Sequence, residues 1–334
     1  MSDDKPDYLW DRSGPPDPLV ERLETMLRPL GHRGSAPAVN PSAARTTRSL
    51  VVRSVLALAA SLVVVAATWF GWGIWRGGWS VQRMAGSPTI DGQSLDGSGL
   101  LKRGGRLVTD GASRARIAVG RIGRVDVDPD TRLELVSIGG RDHRLSLERG
   151  TIHAQISAPP RFFSVNTPSA TAIDLGCAYT LQVDDAGAGL LRVTHGWVQF
   201  AYGGREAFIP QGAVGTTRPG VGPGTPYYSD APAGFAQALA ILDYGSVDAA
   251  TREEAFNRIL SSARKLDSLT LWHLLSRGSD AERVRVYDTL VRLAPPPRWV
   301  TREAVLSGNR DALMAWWDSL AFDGTRWWQR LKKK

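Results

Sequence analysis

The residues of this sequence that could carry chemistry are a single cysteine and five histidines. Cys177 lies in the stretch SVNTPSATAIDLGCAYTLQV, and as a nucleophile it would need a histidine base, for which His153 and His195 are candidates. In an extended strand, however, Cys177 points to the same face as Leu175 and Tyr179, and free cysteine commonly behaves as a small buried hydrophobe. We therefore expect Cys177 to be part of a scaffold, and we predict no enzymatic activity.

Metal and cofactor sites have no support in the sequence. The five histidines show none of the short spacings that place two ligands on one helix face. One cysteine can form neither an intramolecular disulfide nor a zinc ribbon. The net charge of +8 does not choose between nucleic acid, an anionic membrane surface and simple solubility. We predict no cofactor, no metal and no direct contact with nucleic acid.

The elements that would position these residues change along the chain. Residues 76–217 read as short strands of period two punctuated by glycine, which is typical of a β-sandwich or a short β-helical stack. Residues 218–232, RPGVGPGTPYYSDAP, read as a Pro/Gly hinge. Residues 233–334 return to a helical period and predict a small module of short α-helices.

Residues 54–75, SVLALAASLVVVAATWFGWGIW, contain no charge and predict a single transmembrane helix, because about 20 apolar residues span a bilayer. Trp69, Trp72, Trp75 and Trp79 recur at its carboxy-terminal end. Indole rings favour the interface between membrane and water. We therefore expect these four residues to contact membrane lipid.

The charges around this segment predict its orientation. Five arginines flank it: Arg45, Arg48 and Arg53 before it, and Arg76 and Arg83 after it. The excess on the amino-terminal side favours a cytoplasmic amino terminus. The expected arrangement is a single-pass protein with residues 1–53 in the cytoplasm and residues 76–334 outside.

The amino-terminal residues 1–30 contain a docking motif. Asp17 followed by Pro18 is a good start for a helix, and Pro29 should end it at about Arg28. A helix of this length is too short to be stable alone in water, so it either packs on a partner or remains a disordered tail. Residues 31–53 form a flexible linker. The predicted partner-binding residues are apolar: Trp10, Leu19, Leu23, Met26 and Leu27.

A family resemblance covers residues from about 77 to 220. The stretches LKRGGRLVTDG (101–111) and LERGTIHAQI (147–156), with F-x-V-x-T-P and a following Leu-Gly box, resemble the FecR-like domain of membrane-anchored regulators of extracytoplasmic-function sigma factors. In that box cysteine stands where threonine is usual, and tyrosine where phenylalanine is usual. The signature residues are Phe163, Val165, Thr167, Pro168, Leu175, Gly176, Cys177, Tyr179 and Gly196.

The resemblance implies a signal-transduction protein of the bacterial inner membrane that relays a periplasmic signal to a cytoplasmic sigma factor. Its implied partners are that sigma factor, an unidentified periplasmic signalling partner and membrane lipid. The implied fold class is mainly β, with a FecR-like domain, a single transmembrane helix and a carboxy-terminal α-helical module. The alternative is a passive envelope-anchored binding or structural protein whose β-domain holds a glycan or a protein, and an enzyme with an unrecognised site comes third.

Overall fold

The computed structural model describes residues 18–30, 77–320 and 322. Contacts divide the chain into two compact units, residues 1–69 and residues 70–334, which are described separately. The described part of the first unit is helix α1 (Pro18–Leu27) followed by a 3-10 turn (Arg28–Leu30). Proline suits the first helical position, and Pro29, which has no N–H, coincides with the end of the α-helix.

The described part of the second unit contains eighteen strands whose pairing gives two sheets. The first sheet has the following strands in spatial order: β4 (Ser98–Lys102), β1 (Gly78–Ala85), β6 (Arg114–Val119), β7 (Gly123–Val127), β9 (His143–Ile156), β12 (Ala178–Val183), β13 (Gly189–His195), β16 (Ala213–Arg218), and then β17 (Gly222–Pro223) and β18 (Tyr227–Tyr228), which both pair with β16. All of these pairs are antiparallel.

The second sheet is built in the same way from strands that alternate with the first along the chain. In spatial order they are β3 (Gln93–Ser94), β2 (Thr89–Ile90), β5 (Arg106–Val108), β8 (Arg132–Ser137), β9, β10 (Phe163–Asn166), β11 (Thr171–Asp174), β14 (Trp197–Tyr202) and β15 (Arg205–Pro210). Within this sheet β9 and β10 run parallel.

Strand β9 joins the two sheets into one hydrogen-bonded network. Its first half pairs with β8 and β10, and its second half pairs with β7 and β12. The change of sheet falls at Gly150, where φ is +97° and a Cβ would lie 2.4 Å from the Cα of Thr131. Glycine is required there because an L side chain would be both strained and obstructed.

The hydrophobic core lies between the two sheets. Side chains alternate along the strands, so that in β6 Ala115, Ile117 and Val119 are buried while their neighbours are less so. Leu135 and Leu145 of the second sheet belong to the same core cluster. The β-domain is therefore a two-sheet sandwich.

A helical region follows the sandwich. Its helices are α2 (Phe235–Tyr244), α3 (Ala249–Ser262), α4 (Ser268–Leu275), α5 (Asp280–Leu293), α6 (Arg302–Leu306) and α7 (Arg310–Ser319). They share a second apolar core that includes Phe256 and Trp316. Leu269 and Trp317 instead belong to the core cluster of the sandwich, so the helices pack directly on the β-domain.

The segment 218–232, expected to be a hinge, is part of this packing. It contains β17 and β18, and residues 222–226 are buried. The backbone N–H and the hydroxyl of Thr225 donate to the carboxylate of Asp243 on α2, at 2.6 and 3.0 Å. This segment therefore joins the last strands of the first sheet to the helices.

Within the described residues, no helix is long and apolar enough to cross a membrane. On this finding, the predictions of a transmembrane helix and of an inner-membrane location are wrong. The two longest described helices, α3 and α5, have 14 residues each, about 21 Å of helix against the roughly 30 Å hydrocarbon core of a bilayer. Residues 54–75 themselves lie outside the described part. Trp79, expected at the membrane interface, is 2% exposed and lies in the sandwich core.

Candidate functional site

The signature residues that the sequence analysis selected lie on consecutive elements of the sandwich. Phe163 and Val165 point inward from β10. Thr167 closes the turn to β11, because its hydroxyl accepts from the N–H of Ala170 at 3.0 Å and donates to the carbonyl of the same residue at 2.8 Å. Pro168, in the middle of this turn, is exposed. The F-x-V-x-T-P motif is thus an inward-facing strand followed by a side-chain-capped turn.

The Leu-Gly-Cys part of the signature forms the turn between β11 and β12. Gly176 has φ of +89° and Gly196, on the loop between β13 and β14, has φ of +73°. The two loops touch: a Cβ on Gly196 would lie 2.3 Å from the carbonyl oxygen of Gly176 and 3.1 Å from the Cα of Cys177. Gly196 therefore permits a close backbone approach that a residue with a Cβ would obstruct.

Cys177 is buried and hydrogen-bonded to a buried carboxyl group. Its thiol donates to Oδ2 of Asp174 at 2.7 Å, and Oδ1 of Asp174 accepts from the N–H of Gly176 at 2.7 Å. Burial raises the pKa of Asp174 to about 7. Burial and the neighbouring Asp174 raise the pKa of the Cys177 thiol. The thiol is therefore kept protonated, which is the opposite of what a nucleophile or a thiolate ligand needs.

Tyr179 follows on β12 and faces the same core. Burial, followed by the charge of Asp174, raises its pKa well above the ordinary value. Within the described residues its hydroxyl has no hydrogen-bond partner. An uncharged hydroxyl at this position is consistent with a residue that fills the sandwich core where the family uses phenylalanine.

The two histidines considered as bases are engaged elsewhere or exposed. His153 bonds through Nδ1 to the hydroxyl of Thr180 at 2.9 Å and through Nε2 to Oδ2 of Asp128 at 2.8 Å. His195 is exposed at the end of β13. The structure therefore does not assemble a cysteine–histidine pair of the catalytic kind at Cys177.

A cluster of charges that the sequence reasoning missed lies between the sandwich and the helices. Asp243 of α2 accepts from Nη2 of Arg205 at 2.7 Å and lies 3.5 Å from Nη1 of Arg277. Burial lowers the pKa of Arg277 to about 10. These side chains line one wall of a cleft of about 520 Å³. No motif marks them, because their proximity depends on how α2 and α4 pack against β15.

Helix α1 carries the partner-binding residues that were predicted for the first unit. Leu19, Leu23, Met26 and Leu27 are between 57% and 72% exposed, and helical spacing puts them on one face. Trp10 lies outside the described residues, as do Trp69, Trp72 and Trp75 of the predicted interface group.

Comparison with known proteins assigns the central part of the chain. Residues 105–199 match the family model described as FecR protein. No curated protein matches the chain. The matched range contains all of the signature residues named from the sequence, including the two contacting turns at Gly176 and Gly196. The family resemblance is therefore confirmed over these strands.

Two solved structures are also similar to this chain. They are crystal structures of a candidate anti-sigma factor from Parabacteroides distasonis ATCC 8503, at 1.65 and 2.50 Å resolution. Each is 12% identical to this chain with a TM-score of 0.33, and the alignments cover 40% of this chain and 63% and 62% of those chains. The chain thus spans less than two thirds of the length of these relatives.

Proposed function

We propose that this chain, in which residues 105–199 belong to a FecR-family domain, is a regulator of a sigma factor. The family match is the observation that carries the proposal. The signature residues serve the fold of the sandwich, since Cys177 is a protonated core residue and the glycines close two turns. The function is accordingly one of binding and signalling between proteins.

The segment that binds the sigma factor is helix α1. Its apolar residues are more than half exposed, so their burial on a partner would remove apolar surface from water, which is the main favourable term in association. A helix with residues at i, i+4, i+7 and i+8 on one face fits an apolar groove on a partner. The few apolar side chains would supply most of the binding energy.

The sandwich and its helical region receive the input in this proposal. The two described cores of the second unit are in contact, because Trp272 and Leu320 pack against both of them. A partner that binds either part can therefore influence the other. The input partner is a protein that recognises this unit.

The experiment uses the purified full chain and each extracytoplasmic-function sigma factor encoded in the same genome, purified separately. Binding is measured by biolayer interferometry. Leu23→Asp should weaken binding of the cognate sigma factor by about tenfold or more, because it places a charge in the centre of the apolar face.

Thr25→Asp is the matched control. It introduces the same side chain at an exposed position two residues further along, about 200° around the helix axis, and it should change affinity by about twofold or less. Binding of no sigma factor by the unmodified chain, or equal loss of affinity in both variants, would contradict the assignment to α1.

A further inference from the structure

A cleft of about 520 Å³ lies where the hairpin of β14 and β15 meets the helices. This volume is typical of small-ligand sites, which measure roughly 300–1,000 Å³. The turn at Gly203 and Gly204 forms one wall, and residues of α2, α3, α4 and α5 form the others. Three arginines line the cleft: Arg205, Arg252 and Arg277. The cleft therefore has the size and the charged groups of a site for an anion.

The largely buried carboxylates of the cleft do not match these arginines in number. Arg252 is paired one to one, because its Nε and Nη2 donate to Oε1 of Glu282 at 3.2 and 3.0 Å. Arg205 and Arg277 share the carboxylate of Asp243, whose Oδ1 lies 2.7 Å from Nη2 of Arg205 and 3.5 Å from Nη1 of Arg277. Among the described residues that line the cleft, one positive charge is thus left without a counter-charge shielded from solvent.

Arg277 brings its charge to the cleft without a close bond to a carboxylate. Its Nη1 donates to the hydroxyl of Thr225 at 2.9 Å and its Nη2 to the backbone carbonyl of Glu206 at 2.8 Å, and both acceptors are uncharged. Burial lowers the pKa of Arg277 to about 10, so the side chain is still charged at pH 7. The carboxylate of Glu206 belongs to an exposed residue, and solvent screens it.

Arg205 offers donors that a molecule in the cleft can reach. About 30% of its side chain is exposed. Nη2 donates to Asp243, whereas Nη1 makes no hydrogen bond within the described residues and is not buried. Nε is buried and also lacks a partner among them. A guanidinium with unused donors is suited to a carboxylate, whose two oxygens match its planar arrangement of N–H groups.

The rest of the cleft is partly apolar. Leu242 lines it and is partly exposed. Phe256 and Leu274 also line it and are 2% and 5% exposed, so they form its floor. An apolar group that covers these side chains would remove further surface from water. A phosphate monoester fits less well, because nearly two negative charges would exceed the single uncompensated positive charge.

We infer that this cleft binds a carboxylate carried on an apolar group, with Arg205 donating to the carboxylate and Arg277 supplying the uncompensated charge beside it. Two sources present this chemistry: the terminal carboxylate of a partner's polypeptide chain and a free organic acid. The cleft lies in the second unit, so the inference does not depend on the proposed binding of a sigma factor by α1.

The first test titrates the purified full chain with N-acetylphenylalanine by isothermal titration calorimetry. The dissociation constant should be on the order of 1 mM or below, from the usual affinity per atom of a small ligand. N-acetylphenylalaninamide, which lacks the charge, and N-acetylglycine, which lacks the ring, should each bind about tenfold more weakly. Phenyl phosphate should also bind more weakly. No binding of N-acetylphenylalanine, or tighter binding of the amide or the phosphate, would overturn the inference.

A peptide separates the two sources of the carboxylate. A ten-residue glycine–serine peptide that ends in phenylalanine should bind at least as tightly as N-acetylphenylalanine if the ligand is a chain terminus, and amidation of its end should abolish this. Binding of the small acid without the peptide would identify a free organic acid. Both results support a carboxylate site, and equal binding of the free and the amidated peptide would contradict it.

Variants connect the binding to Arg205. Arg205→Gln should weaken binding of N-acetylphenylalanine about tenfold, because it removes the charge and the donors that reach the carboxylate. Arg258→Gln is the matched control, since it removes the same charge from an exposed position of α3 that does not line the cleft. It should change the affinity about twofold or less. Equal weakening in both variants would show that only the net charge matters, which would overturn the inference.

Thermal unfolding of the unmodified chain gives a second measurement if Arg205→Gln does not fold. A ligand that binds only the folded state raises the unfolding temperature as its concentration increases. N-acetylphenylalanine should therefore raise it, and N-acetylphenylalaninamide at the same concentrations should have a much smaller effect. An equal rise with both compounds would show that the carboxylate is not recognised.

Discussion

At the scale of single residues, the close approach of two turns explains a signature glycine. Both Gly196 and Gly203 have positive φ, +73° and +55°, so alanine at either position costs about 1–2 kcal/mol of backbone strain. A Cβ on Gly203 meets nothing within 4 Å, whereas one on Gly196 meets the carbonyl of Gly176 at 2.3 Å.

Gly196→Ala should therefore destabilise the chain by about 1–3 kcal/mol more than Gly203→Ala, since overpacking adds to the same strain. Urea unfolding monitored by circular dichroism measures this difference. Equal stabilities of the two variants would show that the contact between the turns at Gly176 and Gly196 relaxes without cost.

The buried carboxyl group of Asp174 predicts a pH dependence. Its folded pKa of about 7 lies above the ordinary aspartate value of 3.8, so between these values the folded state holds a proton that the unfolded state has lost. Stability contributed by this group is present at low pH and is lost as pH rises towards 7.

Asp174→Asn should remove this loss, so its free energy of unfolding should rise relative to that of the unmodified chain between pH 5 and pH 8. Urea unfolding at the two values measures the change. Asp96→Asn, in an exposed turn, is the control and should show no such trend. The same change with pH in both variants would show that the pH dependence does not come from Asp174.

At the scale of elements, α4 and β15 form a contact that depends on a neutral histidine. The N–H of Phe208 on β15 donates to Nε2 of His273 on α4 at 3.1 Å. The folded pKa of His273, about 3, lies below the ordinary histidine value of 6.5. The stability that the neutral ring contributes is therefore full above pH 6.5 and is lost as pH falls towards 3.

His273→Leu should be less stable than the unmodified chain at pH 7.5, because Phe208 loses its acceptor, and this difference should narrow at pH 4. Thr270→Val, which removes a hydrogen bond of 2.8 Å to the carbonyl of Pro226, should show a difference that does not change with pH, since it removes no titratable group. Equal pH dependence for the two variants would exclude protonation of His273 as the cause.

Elements that depend on neighbouring residues could be predicted from the sequence, whereas contacts between segments far apart in the chain could not. The alternation in β6 and the turn glycines at Gly176 and Gly196 are local signals, and the mainly-β sandwich with following helices agrees with them. The contacts of His273 and Arg277 with β15 depend on which helix lies against which edge. No spacing along the chain carries that information, so the cluster at Asp243 was missed.

Trp79 is a residue at which a local sequence pattern led to a wrong prediction. It continues a run of tryptophans at intervals of three or four residues, and a helical period extended to this residue predicts a place at the membrane interface. In the structure it begins the sandwich, where it lies near the rings of His143 and Phe163, 6.0 and 6.3 Å between centroids. The spacing of the tryptophans along the chain does not distinguish a helix at the membrane interface from a strand of the sandwich. The pairing of β1 with β4 and β6 does.

At the scale of the whole molecule, the two proposed functions fall on two parts of the chain. Helix α1 offers an apolar face with more than half of each key side chain exposed, and the second unit is a sandwich against which its helices pack. The signature residues fill the core of the sandwich and shape its turns. In the proposed function, regulation operates through binding, and the amount of sigma-dependent transcription is its direct output.

The central claim is tested most directly by transcription in vitro with RNA polymerase, the sigma factor that the full chain binds, and a promoter specific for that sigma factor. Adding the unmodified chain or its Thr25→Asp variant should change the amount of transcript, while Leu23→Asp should leave it at the level without the chain. A transcript level that the unmodified chain does not alter at concentrations that saturate binding would contradict the account.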